Sequence, residues 1–362
     1  MRSILILVFI LFISITSINR SEEADTTTTS GSGWIALPYI YYTPETEFAF
    51  GAGGFYYFRE TDSLINQRAS RINLSVTYTT KKQFLVELVP FLYLDNEKYY
   101  LEMNLSGGKF PYNFYGIGNN TSSDDEESYT NIFYKAQLNF QKKFTSHYRT
   151  GIYIDYMHSK LSEFTTGGVL EKETTTGSLG GTKLGAGIIL SYDNRDNINY
   201  SSKGGFYDAR IVVYDKIFGS DYNYILYKFD FRRFFSISEN NVIAFQLFGN
   251  LISGEPSFEN LSLLGGMYVM RGYYQGRFRD KNLLAAQTEY RLPLIWKVGL
   301  AGFLGVGEIA GSLSGFSMNE LKYSAGIGLR FLMDADEKLN LRVDYGFGYN
   351  SSALYFTVGE AF

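Results

Sequence analysis

The feature that most constrains this chain is a segment of alternating apolar and polar residues, repeated along residues 34–362. Successive side chains of a β-strand point to opposite faces, so a period of two residues predicts strands with one apolar and one polar face. In residues 221–235, for example, Tyr227 and Phe229 flank Lys228. The predicted strands are 34–42, 47–59, 69–80, 83–94, 97–106, 129–143, 147–163, 180–193, 204–217, 221–235, 241–252, 282–292, 297–310, 321–333, 338–348 and 353–362.

The breaks between these segments differ in length. Short breaks fall at 78–82, 142–146, 236–240 and 334–337, and long ones at 107–128, 163–179 and 253–281. Short turns at one rim and long loops at the other are typical of outer-membrane barrels, which have an even number of strands. A soluble sandwich would show the same alternation, but the number of strands and the lack of helical segments favour a barrel. We therefore predict an all-β transmembrane antiparallel barrel of 16 strands, formed by residues 34–362.

The composition agrees with this fold and excludes several classes of function. The chain has 31 Tyr, 30 Phe and 37 Gly against 6 Pro, which favours strands and tight turns. Its net charge of −4 offers no basic stripe for a nucleic-acid partner. With no Cys and only two His, the sequence predicts no metal site and no cofactor.

The N-terminus has the pattern of a secretory signal in residues 1–20. Arg2 precedes an apolar run from Ile4 to Ile13, which is too short to span a membrane as a helix. Residues 21–33 are rich in Thr, Ser and Gly, and we expect them to form a disordered periplasmic segment. Export combined with the barrel predicts a monomer in the bacterial outer membrane, in contact with its lipid and lipopolysaccharide.

The last predicted strand carries Phe356, Val358 and Phe362 on one face. A final strand that ends in an aromatic residue resembles the signal by which outer-membrane barrels are recognised for assembly. Gly359 lies on the opposite face, and together with the short first strand, 34–42, it predicts a thin seam where the barrel closes.

The stretch 263–282 interrupts the strand pattern with four glycines, three arginines and several aromatic residues. A connection longer than about 12–15 residues with such a composition is usually functional. Glycines let the backbone turn where a Cβ would clash, and arginines bind carboxylates in confined spaces. We expect this loop to fold back into the barrel lumen and to be held there by Arg271.

Three stretches resemble one family of outer-membrane barrels, the BamA/TamA superfamily (bacterial surface antigen domain). LLGGMYVMRGYYQGRFRDKN at 263–282, followed by AAQTEYRLPL at 285–294, resembles the sixth extracellular loop and the next strand of that family. YDNRDNINYSSKGGFYDARI at 192–211 and the final LYFTVGEAF are similar to further parts of its barrel. The resemblance implies a 16-stranded barrel that inserts or translocates other proteins.

The resemblance also implies specific roles for the loop tip. Arg271, Gly272 and Tyr273 match the Arg-Gly-aromatic tip of the family, in which the arginine is held inside the barrel by carboxylates on the next two strands. Glu289 lies on the polar face of the following strand and matches the first carboxylate.

Two departures from the family pattern are expected to affect how Arg271 is held and which other protein the barrel needs. The position of the second carboxylate is Gly305 here, so Asp230 or Asp344 is the candidate replacement. Residues 21–33 are too short to form the periplasmic transport domains that family members carry before the barrel. A separate periplasmic protein could supply that part.

The sequence leaves two functional hypotheses open. The first is insertion or translocation of proteins through a seam that opens between strands 34–42 and 353–362. The alternative is a passive channel or structural protein whose loop plugs the lumen. The two hypotheses differ in one expectation. Locking the seam should abolish function under the first and leave it unchanged under the second.

An enzyme is not predicted. The only local candidate for acid–base chemistry is His158 with Asp155 and Ser159, and all three residue types are common near strand ends. The acidic run Asp124–Glu127 is interpreted as a solvated loop rather than a cation site.

Overall fold

Sixteen strands pair with their chain neighbours and close into one antiparallel barrel in this computed structural model. It describes residues 32–58, 69–238, 241–335 and 338–362. The barrel strands are β1 (Gly33–Thr43), β2 (Glu47–Phe58), β3 (Ser70–Thr79), β4 (Phe84–Leu94), β5 (Tyr99–Phe114), β6 (Glu127–Lys143), β7 (Tyr148–Ser162), β8 (Gly180–Asp193), β9 (Gly204–Tyr214), β10 (Asn223–Ser236), β11 (Val242–Glu255), β14 (Asn282–Pro293), β15 (Val298–Ala310), β16 (Lys322–Asp334), β17 (Leu339–Gly348) and β18 (Ser351–Val358). The predicted 16-stranded all-β barrel is confirmed.

The loop between β11 and β14 contains a separate two-stranded sheet of β12 (Ser262–Leu264) and β13 (Phe278–Asp280). Short 3₁₀ turns occupy Ser123–Asp125, Lys216–Phe218, Phe258–Asn260 and Leu313–Gly315. Within the described residues, no helix is both long and apolar enough to cross a membrane. The predicted signal, 1–20, and nearly all of the segment 21–33 lie outside the described residues.

Alternation along each strand separates the two faces of the wall. Large apolar side chains such as Ile188, Leu304 and Ile327 are exposed on the outside, while Glu289 and Arg291 are buried on the inside. A soluble protein has the opposite arrangement, with its charges outside and its apolar residues in the core. An apolar outer band around a polar interior is the arrangement of a barrel embedded in lipid.

Connections in an antiparallel barrel alternate between its two ends. We call the end that carries connections 163–179 and 256–281 the loop end, and the opposite end, with 144–147 and 294–297, the turn end. The prediction that turn 78–82 lies with the short turns is wrong, because the connection from β3 to β4 falls at the loop end.

The largest difference in strand bounds concerns β5, which continues to Phe114 although the prediction ended it at residue 106. The extension pairs residue by residue with β6 through Asn113 and Phe114. Gly107 and Gly108 suggested a loop, but inside the wall they leave room for the ring of Tyr134 and for the backbone of β4.

Candidate functional site

Residues 256–281, which we call the lumen loop, fold back into the barrel and contact both sides of its interior. On one side the ring of Phe258 packs against Phe114 and Tyr129, with centroid distances of 5.2 and 5.4 Å. On the other side Tyr273 is fully buried and packs in a cluster with β14 and β15 residues. The loop therefore crosses the lumen near the loop end.

Glu259 attaches the lumen loop to the wall formed by β6 and β7. Its carboxylate accepts hydrogen bonds from the Asn131 side-chain nitrogen (2.8 Å) and from the Ser159 hydroxyl (3.0 Å). Burial raises the pKa of Glu259 to about 7, although these hydrogen bonds oppose the shift. Sequence reasoning missed Glu259, because both of its partners are remote in the chain.

Arg271 is fully buried inside the barrel, where it contacts three strands. Its Nη2 lies 2.6 Å from Glu289 Oε2 on β14, and its Nη1 lies 2.5 Å from Asp344 Oδ2 on β17. Its Cζ lies 3.6 Å from the ring centroid of Phe303 on β15, within the range of a cation–π contact. The structure thus brings the predicted pair together and supplies a second carboxylate.

That second carboxylate comes from Asp344, one of the two candidate replacements. The other candidate, Asp230, pairs with Arg232 instead and accepts a hydrogen bond from Gln246 at 2.8 Å. Asp344 lies on β17, the fourth strand after the lumen loop, whereas the family pattern places the second acid on the strand of Gly305, the second one.

Gly305 faces the space that Met270 of the lumen loop occupies. A Cβ at this position would lie 2.7 Å from Ser324 Oγ and 3.0 Å from Met270 Sδ. A side chain here would therefore require Ser324 and Met270 to move, so the carboxylate of the family pattern would disturb the packing of this loop.

We therefore expect Gly305→Asp to loosen the lumen loop, although sequence comparison alone would suggest that it restores a partner. The added carboxylate would displace Met270, and Arg271 already has two acids. Trypsin cleavage of the folded protein in liposomes at Arg277 and Lys281 should become faster. Gly305→Ala, which adds only the Cβ, should have a smaller effect, and slower cleavage of Gly305→Asp would contradict this account.

The ion pairs around Arg271 continue into a larger network, which we call the latch network. Arg291 Nε donates to Glu289 Oε1 at 2.7 Å, and Arg330 Nη1 donates to Asp344 Oδ1 at 2.6 Å. Its members are Arg271, Arg291, Arg330, Arg342, Glu289, Asp344 and Glu360. Four guanidinium groups thus share three carboxylates, so each carboxylate neutralises more than one cation.

Close backbone contact fixes the loop tip against β17. Gly272 has φ of +114°, and a Cβ at Gly346 would lie 2.7 Å from the Gly272 nitrogen. Either side chain would therefore push the tip away from the wall. The Tyr355 hydroxyl on β18 accepts a hydrogen bond from the Gly272 N–H at 3.1 Å, and Tyr273 donates to the Tyr323 carbonyl at 2.8 Å.

The seam of the barrel, between β1 and β18, is paired at one position only, Tyr42 with Phe356. Every other strand boundary of the wall has at least eight paired positions, as β17 and β18 show from Leu341 to Gly348. Residues 33–39 of β1 pair with β2 but have no strand on their other side, because β18 ends at Val358. Pro38 fits this position, because proline lacks an N–H and is confined to edge strands.

The end of the chain leaves the wall, and this explains the missing pairs. The predicted strand 353–362 ends at Val358, Gly359 has φ of +88°, and residues 360–362 turn into the lumen at the turn end. Phe362 is buried against Phe234 and Ala244 of β10 and β11, and its carbonyl accepts a hydrogen bond from Arg291 at 2.7 Å. The prediction that Phe362 lies on one strand face with Phe356 and Val358 is therefore wrong.

Ion pairs inside the barrel explain this turn. Glu360 Oε2 accepts from Arg330 Nε at 2.8 Å, and Glu360 Oε1 accepts from Asn340 at 2.8 Å. A charged residue in line with Phe356 and Val358 would face lipid, which costs energy, whereas in the lumen it joins the latch network.

The weaker candidates of the sequence do not form a site. His158 lies on the outer face and contacts Thr182, while Asp155 and Ser159 point inward, because side chains alternate along β7. In the acidic run, Asp125 and Glu127 accept hydrogen bonds from backbone N–H groups of loops. No group of three or more His, Cys, Asp or Glu able to hold a metal occurs in the described part of the chain.

A comparison with protein families identifies the family to which this barrel belongs. Residues 65–362 match the Omp85 superfamily domain. The chain belongs to the Omp85 superfamily. This confirms the resemblance seen in the loop tip and the flanking strands, and the barrel is of the outer-membrane type found in this superfamily.

Solved structures of similar fold include other barrels of this kind. BamA from Haemophilus ducreyi lacking POTRA domains 1–3 has a TM-score of 0.62 at 12% identity, covering 91% of this chain and 70% of that one. CdiB from Acinetobacter baumannii has a TM-score of 0.58 at 12% identity, with 91% and 60% covered, and CdiB from Escherichia coli has 0.59 at 9%, with 92% and 63%. This Omp85 chain spans less than two thirds of both CdiB chains. No curated protein matches the sequence.

Arg271→Ala should detach the lumen loop and leave the barrel folded. Glu289 keeps Arg291 and Arg330, and Asp344 keeps Arg330, so the remaining network has three cations and three anions. Losing two buried charge-assisted bonds should weaken loop docking by about 1–3 kcal/mol, or about tenfold or more in trypsin cleavage at Lys281.

The matched control is Arg232→Ala, which removes a luminal arginine outside the latch network. A double-mutant cycle with Glu289→Gln tests the contact, and we expect the effect of the two changes together to be smaller than their sum. Additive effects would show that Arg271 and Glu289 act independently.

Proposed function

We propose that this protein inserts or translocates proteins at the bacterial outer membrane by admitting a polypeptide strand at its seam. The observation that carries the proposal is the single pair between Tyr42 and Phe356. Since β18 ends at Val358, the N–H and C=O groups that point away from β2 along residues 33–39 of β1 have no strand beside them. Such an edge is a template for another strand, which adds by main-chain hydrogen bonds.

The lumen loop supports this function by keeping the opposite wall rigid. Through Arg271 it ties together β14, β15 and β17, and through Tyr273 it also contacts β16. Opening at the seam then moves β1 relative to β18 without separating these strands from one another. Because the loop also obstructs the lumen, the seam is the preferred route.

The proposed orientation places the turn end in the periplasm and the lumen loop outside. It follows the pattern of outer-membrane barrels, which have short periplasmic turns and longer extracellular loops. Two exposed tryptophans, Trp34 at 76% and Trp296 at 83%, mark the membrane interface at the turn end. Tryptophan is enriched where the hydrocarbon meets the head groups. The apolar outer face would contact outer-membrane lipid, and a separate periplasmic partner remains a prediction.

A passive channel or structural barrel is the second candidate, and one observation favours it. The lumen loop contacts both walls through Phe258, Glu259 and Arg271, so the lumen is obstructed without any other component. This candidate predicts that no strand approaches β1.

The experiment that separates the two candidates is disulfide crosslinking during folding of a client, by which we mean a barrel protein that this protein would insert. Ile40→Cys places a thiol on the free edge strand β1, and Phe50→Cys is the matched control on β2, because the two positions are paired and both face outward. A urea-denatured eight-stranded barrel protein with one cysteine in its last strand is added to liposomes that contain either variant. We expect a crosslink to Ile40→Cys and little to Phe50→Cys; equal yields would contradict strand addition at β1.

A further inference from the structure

A cavity of about 310 Å³ lies on the luminal side of the wall, directly behind the free edge of β1. Its apolar lining includes Leu37 of β1, Phe55 of β2 and Val89 of β4. Leu37 and Phe55 are exposed to the lumen at 46% and 38%, which is unusual for large apolar side chains on a polar inner wall.

The same cavity holds hydrogen-bond acceptors that lack donors. Asn73 Oδ1 is buried and has no hydrogen-bond partner. Within the described residues, the carboxylate of Glu87 forms no ion pair, and Lys135, two strands away in the wall, acts on it only at longer range. The side chains of Asn73 and Glu87 line the cavity together with Ser75. A buried acceptor without a donor is costly, and a carboxylate in such a place favours a cationic partner.

An apolar lining that leads to an amide oxygen and a carboxylate matches one kind of side chain. Arginine and lysine have an apolar stem and a charged head with several donors, and they bury the stem while the head finds acceptors. The volume holds one long side chain together with several waters, whereas a folded domain or a nucleic acid would not enter it.

We propose that this cavity is a specificity pocket for a basic side chain on the luminal face of the strand that adds to β1. The inference rests on the proposed function, since it needs an incoming strand. Residues of that strand alternate between lipid and lumen, so one luminal residue lies next to Leu37 and extends toward Glu87. The clients selected are therefore strands with Lys or Arg at a luminal position.

The chain's own segment before β1 has the wrong charge for this pocket. Residues 21–32 contain Glu22, Glu23 and Asp25 but no Lys or Arg. Their carboxylates would face Glu87, and like charges in a poorly solvated site repel each other. Charge complementarity thus favours a client strand over this segment.

The test is binding of fluorescent nine-residue peptides to the full chain in detergent micelles, followed by anisotropy. The peptides alternate apolar and polar residues and differ only in the central polar position, which is Arg, Gln or Glu. We expect the Arg peptide to bind about tenfold tighter than the Gln peptide, as for one charge-assisted hydrogen bond, and the Glu peptide to bind weakest. Glu87→Gln should bring the Arg peptide to the level of the Gln peptide.

Two controls make the outcomes distinct. Glu102→Gln removes another luminal acid, one that already accepts from Tyr100 and Asn139, and it should leave the preference for Arg intact. The second control is a proline version of the Arg peptide, which lacks main-chain N–H donors and should bind weakly if the peptide adds to β1 as a strand. If the proline peptide binds weakly but Arg and Gln peptides bind alike, the pocket is refuted and the seam stands. If no peptide binds, or the proline peptide binds as well as the Arg peptide, both proposals fail.

Discussion

Asp344→Asn should destabilise the barrel far more than Arg271→Ala does. Asp344 is fully buried and accepts from Arg271 and Arg330, with Arg342 Nε 3.6 Å away. Its loss leaves four guanidinium groups with two carboxylates, Glu289 and Glu360. Removing one partner of a buried ion pair costs about 3–5 kcal/mol, because the remaining charge is stranded away from water.

The direction of this effect follows from the charge balance. Arg271→Ala removes the excess cation and leaves three charges of each sign, whereas Asp344→Asn doubles the excess. Both changes should release the lumen loop, but only Asp344→Asn should lower the free energy of unfolding by several kcal/mol.

The measurement is urea unfolding of the liposome-embedded barrel, followed by the loss of its heat-modifiable band on gels. Asp208→Asn is the matched control, since Asp208 is a buried luminal acid that pairs with a single arginine, Arg210, outside the latch network. Equal destabilisation by the two substitutions would contradict a special role for the shared carboxylate.

The latch network also connects the lumen loop to the seam. Arg330 donates both to Asp344, which holds Arg271, and to Glu360, which holds the end of the chain inside the lumen. If residues 359–362 instead continued along the wall in register, they would lie beside residues 36–39 of β1, as the pair of Tyr42 with Phe356 requires. The position of Glu360 therefore keeps the β1 edge free.

Much of the barrel could be predicted from sequence because its signal is local. Alternation with a period of two residues places most strands within a few residues, and the polar face of residues 282–292 correctly indicated Glu289 as inward. A local pattern does not show at which end of the barrel a short connection lies. For this reason turn 78–82 was assigned to the wrong end.

Contacts between distant strands were not predictable in this way. Asp344 is 73 residues from Arg271, and only closure of the barrel brings β17 beside the lumen loop. The turn of the chain at Gly359 depends on Arg330 and Arg291, which lie on two different strands. No spacing in residues 353–362 encodes those partners, so the pattern alone continued the strand to Phe362.

The central claim is that the seam between β1 and β18 must part during function, and a reversible lock tests it most directly. Tyr42→Cys with Phe356→Cys joins the one paired position of the seam, and Tyr345→Cys with Leu354→Cys places a matched disulfide in the fully paired boundary of β17 and β18. Folding of a urea-denatured eight-stranded barrel protein is timed in liposomes that contain each variant.

The oxidised seam lock should reduce the folding rate to that of liposomes without this protein. Dithiothreitol should restore the rate, and the control disulfide should leave it unchanged. A full folding rate with the seam oxidised would show that the seam does not part during function, and no acceleration by the reduced protein would show that it does not assist folding at all.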